Sequence, residues 1–307
     1  LVGHCIPYIT MAQLPHTYHK EKNSMAFDFN HPNIVPDHMD FDVAFEPTKV
    51  KDKKYVINAT SGEYLGVVGS TFTCASHGDF YRGVLDTVTE ELTSHEVEDA
   101  KMNWRTARNG AWAMLDITLP NMKTVVETDK HSTEIGNRII SLHGIDGSCS
   151  NQVYFGAIDF FCTNGMIRGE YDKVRKKNTS NFCMDRFIQE LKDARQNFYA
   201  QSANLQTWAE TPMPIFVHVI DLLKEIIPSD KKAEKMASLY AQEASVRGNN
   251  VFSLYSAFTN YSSYADARNG FILRDTGNDT ASESMWQREH EVAKWISHPK
   301  FKALVAA

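Results

Sequence analysis

The stretch Lys101-Met-Asn-Trp-Arg-Thr-Ala-Arg-Asn-Gly-Ala-Trp-Ala-Met-Leu-Asp-Ile-Thr-Leu119 sets the fold class. Before its midpoint, Lys101, Asn103 and Arg105 share one side, and Met102, Trp104 and Thr106 the other. After it, Ala113, Leu115, Ile117 and Leu119 fall on one side, and Trp112, Met114, Asp116 and Thr118 on the other. A period of two belongs to strands, whose successive side chains point to opposite faces. Asn109-Gly110 between the two runs predicts a two-residue type I′ turn, which needs positive φ at both positions. A tight hairpin forces antiparallel pairing.

Working outward, residues 63–74, 124–128, 135–142 and 153–163 also read as strands. From Val153 to Phe161 the chain is almost continuously apolar, with Asp159 its one charge, as in a strand covered on both faces. Asp146-Gly147 and Asn164-Gly165 bracket that strand with turn signals. Residues 78–92 show helical spacing at Phe80, Val84, Leu85, Val88 and Leu92, with Asp79 as the predicted N-cap. Helical spacing resumes at Phe182, Phe187, Ile188, Leu191, Ala194 and Phe198, then over 215–227, 231–247, 251–264 and 284–296. The reading is α+β: an antiparallel meander with a packed helix, then a C-terminal helical region. Residues 1–62, with Pro7, Pro15, Pro32, Pro36 and Pro47, read as an extended Pro/His-rich arm. Residues 63–178 form the α+β core and residues 179–307 the helical region.

Composition bounds the function. Hydrophobic content of 42% and charged content of 23% suit a globular chain able to bury a core. A net charge of −6 excludes a uniformly cationic surface and leaves room for a local basic groove. Cys5, Cys74, Cys149, Cys162 and Cys183 form no Cys-x-x-Cys pair, which points to reduced thiols in a cytoplasm rather than a zinc ribbon. No run approaches the ~18 apolar residues of a membrane span, and no signal peptide is read.

Gly62-x-x-x-Gly66-x-x-Gly69 has the wrong spacing for a dinucleotide loop, and no phosphate-binding Gly-x-x-x-x-Gly-Lys exists. His16-x-x-His19, His31 and His38 read as solvated side chains of the arm, so no metal or other cofactor is expected. His143, Asp146 and Ser148 are near neighbours and could form a hydrolytic triad on a small molecule or phosphoester. Against this, Gly147-Ser148-Cys149-Ser150 is not Gly-x-Ser-x-Gly. The plainer reading is a turn whose Asp and Ser side chains satisfy backbone amides.

The block Asp146-Gly147-Ser148 followed by Cys162-Thr163-Asn164-Gly165-Met166 resembles the phage/plasmid-like family of unknown function, found in phages, prophages and plasmids. The resemblance extends to Tyr64-Leu-Gly-Val-Val-Gly-Ser70 and Leu254-Tyr-Ser-Ala-Phe-Thr-Asn-Tyr261. It implies where such genes travel and names no chemistry. The order helix, hairpin, further strands, helix is similar to single-strand annealing proteins of the Red-beta and Erf type. That likeness implies a single-stranded DNA partner and a homo-oligomer.

The charge pattern agrees. Arg168, Lys173, Arg175, Lys176 and Lys177 follow the Asn164-Gly165 turn, and Arg186 and Lys192 continue the series. Such a cluster can neutralise phosphates and release their counterions. Lys101 and Arg105 add charge from the hairpin, and Trp104, Trp112, Tyr154, Phe155 and Tyr171 could stack bases. The bland account is a solvated turn with its aromatics in the core. The expectation is a single-stranded DNA binding or annealing protein of recombination or replication, a binder rather than an enzyme. The alternatives are a hydrolase centred on the 144–149 loop and a non-catalytic interaction protein.

Overall fold

The computed structural model describes residues 34–159, 165–167, 173–176, 183–186, 188–189, 203–213, 216–268 and 280–306. Phe160 to Asn164, Arg168, Tyr171, Lys177 and Lys192 lie outside the described residues, as does the arm before residue 34.

The fold is α+β, with two antiparallel sheets and a C-terminal helical region. The smaller sheet joins β1 (Val43–Pro47), β2 (Lys53–Asn58) and β3 (Tyr64–Gly69) in that order. Two of these strands fall in the stretch expected to be an extended arm. Pro47 is tolerated because it ends an edge strand, where a missing donor breaks no ladder bond. β3 was expected in the same sheet as the hairpin, and it pairs with β2 instead.

The larger sheet runs β4 (Lys101–Ala107), β5 (Trp112–Glu127), β6 (Ser132–Gly144), β7 (Asn151–Asp159) and β8 (Gly165–Ile167). β9 (Lys173–Lys176) also pairs with β7, through Asn151 to Tyr154. β7 is therefore interior, bonded along both edges, as its apolar run predicted. The β4–β5 hairpin forms with Ala107 opposite Trp112. Its loop is longer than a two-residue turn, since Arg108 joins Asn109 and Gly110 at positive φ (57°, 56° and 84°).

Both faces of this sheet are covered. Helix α1 (His77–Glu91) lays Phe80, Tyr81, Val84, Leu85 and Val88 on Ala113, Leu115, Ile117, Ile139 and Val153. Its N-cap is Ser76, whose hydroxyl accepts from the Asp79 amide at 3.0 Å. The predicted cap, Asp79, sits inside the first turn, where its charge faces the positive helix end. A short helix α2 (Ser94–Val97) carries a capping box between Thr93 and Glu96.

After a helical stretch at 203–210 come α3 (Phe216–Ile226), α4 (Asp230–Arg247), α5 (Val251–Arg268), α6 (Thr280–Ile296) and α7 (Pro299–Val305). α5 buries Phe252, Leu254, Tyr255 and Phe258 together, on different sides of the helix, because neighbours enclose it. α6 covers the second face of the sheet, where Met285, Trp286 and Ala293 meet Trp112, Met114, Ile140, Leu142 and Tyr154. On that face Arg138 of β6 bridges Asp116 of β5 at 2.6 Å and Glu289 of α6 at 3.2 Å. All three side chains are largely out of solvent, so the ions hold one another in place of water.

Candidate functional site

Cross-strand register decides what the basic residues can do together. Lys173 of β9 stands opposite Tyr154, Arg175 opposite Gln152 and Lys176 opposite Asn151. The predicted basic turn is thus a strand for four residues. Among the described residues β9 pairs with β7 alone, at one border of the sheet. Lys101 and Arg105 lie on β4, at the opposite border. β5, β6 and β7 intervene, a separation of about 19 Å at ordinary strand spacing. The two groups do not meet in one groove. Lys101 is exposed, whereas Arg105 is half-buried with its Nε enclosed. Arg186 is exposed on a helical stretch at 184–186.

Two of the aromatics assigned to base stacking, Trp112 and Tyr154, are core residues, and the side chains of Phe155 and Tyr171 lie outside the described ones. Trp112 is 2% exposed, and so is Tyr154. Tyr154 packs against Trp286 at 4.6 Å and gives its hydroxyl hydrogen to Gln152. Half-buried Trp104 meets Tyr81 edge-on at 5.0 Å. Burial under α6 removes Trp112 and Tyr154 from any ligand, and the local alternation could not reveal this because α6 is remote in sequence.

The loop joining β6 to β7 separates the proposed triad. His143 is fully buried, whereas Ser148 is exposed. Asp146 accepts from the Ser148 amide at 2.8 Å, closing a local turn, and its other oxygen lies 3.6 Å from Arg108. Gly66 of β3 lies so close that an added Cβ would sit 2.9 Å from the Asp146 Cβ. Asp146 is thus a structural pin between the two sheets and the hairpin loop. Among the described residues no hydrogen bond joins His143 to Asp146 or Ser148, and the bond between Asp146 and Ser148 runs through the Ser148 amide, not its hydroxyl.

His143 instead meets a residue that sequence reasoning missed. Its Nδ1 lies 2.8 Å from Nδ1 of His77, whose Nε2 lies 2.8 Å from the Gly110 carbonyl. A carbonyl oxygen only accepts, so His77 carries its proton on Nε2. Burial lowers His77 from 6.5 to about 4 and lowers His143 well below its usual value, so both rings are neutral at pH 7. His77 Nδ1 therefore accepts from His143 Nδ1–H, which leaves His143 Nε2 as a bare acceptor. That nitrogen is enclosed without a hydrogen bond among the described residues. Phe80 stacks on the His143 ring at 4.4 Å. The cue to this pair was slight: His77 opens α1 immediately after the capping serine.

Cys74 and Cys149 are half-buried and Cys183 is exposed. Burial pushes the Cys74 thiol up to about 12, which makes it a poor nucleophile. Among the described residues no group of three or more His, Cys, Asp or Glu is placed to hold a metal ion. No described helix is long and apolar enough to cross a membrane.

A family model described as a domain of unknown function, DUF932, matches residues 64–303. The chain belongs to that family. The DUF932 match begins at the first residue of β3 and reaches into α7, so it takes in the whole larger sheet. Comparison with curated proteins and with solved structures finds no match. Membership in a family of unknown function is thus the part of the sequence resemblance that stands.

Proposed function

We propose that this DUF932 chain is a phage- or plasmid-borne protein that binds or anneals single-stranded DNA in recombination or replication. The observation that carries the reading is β9. It sets Lys173, Arg175 and Lys176 within four residues at a border of the sheet, in a chain of net charge −6. Cations concentrated along one strand suit a polyanion whose charges repeat along a line. Lys177 continues the run in sequence, Arg168 precedes it and exposed Arg186 follows. In this reading the protein works in the cytoplasm of the host as a homo-oligomer, without a cofactor. The hydrolase reading has less support, because buried His143 pairs with His77 and makes no hydrogen bond to Asp146 or Ser148 among the described residues.

The test is oligonucleotide binding at several salt concentrations. Changing Lys173, Arg175, Lys176 and Lys177 together to Ala should weaken binding to every sequence. It should also flatten the salt dependence by about 0.7 in log–log slope for each phosphate no longer neutralised. A wild-type protein that fails to bind oligonucleotides at low salt overturns the reading.

A further inference from the structure

The smaller sheet leaves part of one face open, beside buried Ile57, and the composition there is unusual for a solvated surface. Tyr64 is 60% exposed and Val67 53% exposed on β3. Tyr55 of β2 pairs with Val67 on one side and with Glu46 of β1 on the other, so these residues share a face. The Tyr55 and Tyr64 rings pack edge-to-face at 5.0 Å, and the Tyr64 hydroxyl donates to Glu46 at 3.4 Å. The opposite face is turned inward: Val56 and Val68 are buried there.

Lysines border the tyrosine pair. Lys53 stands two residues before Tyr55 on the same strand, hence on the same face. Lys49 and Lys51 lie in the β1–β2 turn beside Val50, which is 63% exposed. All three lysines are exposed, and none makes an ion pair among the described residues. Lys54, on the inward side, is instead spent over the Phe45 ring at 4.1 Å. Residues 49–54 hold four lysines and one acid, Asp52. Two half-open aromatic rings beside a loop of unpaired ammonium groups match the repeat of a single strand, flat bases alternating with phosphates.

We propose that the Tyr55–Tyr64 face of the smaller sheet is a base-stacking platform for single-stranded DNA, with Lys49, Lys51 and Lys53 holding the adjoining phosphates. The inference rests on the single-stranded DNA reading above and assigns to it a second contact surface, distinct from β9. Bases lie over the two rings. The backbone runs on the lysine side, away from Glu46, whose carboxylate repels phosphate and is tolerated beside a neutral base.

The experiment is fluorescence anisotropy with a labelled oligothymidylate of roughly 16 nucleotides, long enough for one site. Tyr55→Ala with Tyr64→Ala should weaken binding roughly 5- to 100-fold, while Tyr55→Phe with Tyr64→Phe stays within about twofold of wild type because the rings remain. Lys49→Ala, Lys51→Ala and Lys53→Ala together should lower the salt slope by about 0.7 for each phosphate they release, even if the tyrosine variant fails to fold. Wild type that binds the oligonucleotide, with both sets of variants unchanged, overturns the platform and leaves the single-stranded DNA reading standing. Wild type that binds no oligonucleotide overturns both. Unchanged DNA binding together with a lower sedimentation coefficient for the tyrosine variant assigns the face to contact between copies of the chain, which also overturns the platform.

Discussion

His77 and His143 are locked together 2.8 Å apart, Nδ1 to Nδ1, in the buried layer between α1 and the larger sheet. The Gly110 carbonyl orders their protons, so the hairpin loop, the first turn of α1 and the end of β6 are tied through one chain of hydrogen bonds.

That pair makes stability depend on pH. A histidine whose folded value is depressed supports the fold fully above its unfolded value, and the support is lost as pH falls. Here the window runs from about 6.5 down to about 4 for His77, and burial moves His143 in the same direction. A depression of that size corresponds to about 3 kcal/mol for His77 alone. Urea midpoints measured at about pH 7 and about pH 4.5 should differ strongly in the wild type and less in His77→Gln. Equal midpoints in the wild type would show that the rings are not held neutral by burial.

Arg138 and Glu289 join β6 to α6 inside the protein. Glu289→Ala leaves the enclosed guanidinium with Asp116 as its ion-pair partner among the described residues, and should cost about 3–5 kcal/mol. Arg138→Met with Glu289→Leu should cost less than the two single changes added, because each single change strands the other's buried charge, whereas the double change leaves Asp116, 14% exposed and within reach of water. Chemical denaturation of the single and double variants measures this, and a loss below about 1 kcal/mol for Glu289→Ala would mean that the pair is hydrated.

Gly66 tests the docking of the two sheets. Its new Cβ in Gly66→Ala would meet the Asp146 Cβ at 2.9 Å, so a loss of about 1–3 kcal/mol is expected. Gly69→Ala is the control, since nothing lies within 4 Å of the added atom. Similar melting temperatures for the two variants would count against the close approach.

Ser76 and Asp79 separate a cap from a charge. Ser76→Ala removes the acceptor for the Asp79 amide and should destabilise by about 1 kcal/mol. Asp79→Asn removes only the favourable interaction with the helix dipole, about 0.3–1 kcal/mol. The reverse ranking in thermal melts would restore Asp79 as the cap.

The sequence by itself determined the parts whose signal is local. Alternation on both sides of Asn109-Gly110 specified a hairpin and its two faces, and the apolar run after Val153 specified an interior strand. Helical spacing located α1 and α3 to α6 to within a few residues. The four-residue loop was not legible, because Arg108 adopts positive φ without being a residue that favours it. The strands of residues 43–58 were hidden by the proline-rich context, though Pro47 stands where a ladder can spare a donor.

Only the tertiary structure decided which faces are wet. Both sides of β5 are buried because α6, far along the chain, closes the second side over Trp112 and Met114. Lys173 to Lys176 carries no apolar alternation, so its strand exists through its pairing with β7. His143, Asp146 and Ser148 looked like partners because they are near in sequence. Strand alternation turns His143 inward to His77, 66 residues away, while the turn keeps Ser148 in solvent. Periodicity records the direction of a side chain, but what covers that direction depends on burial between segments distant in sequence, which no local pattern encodes.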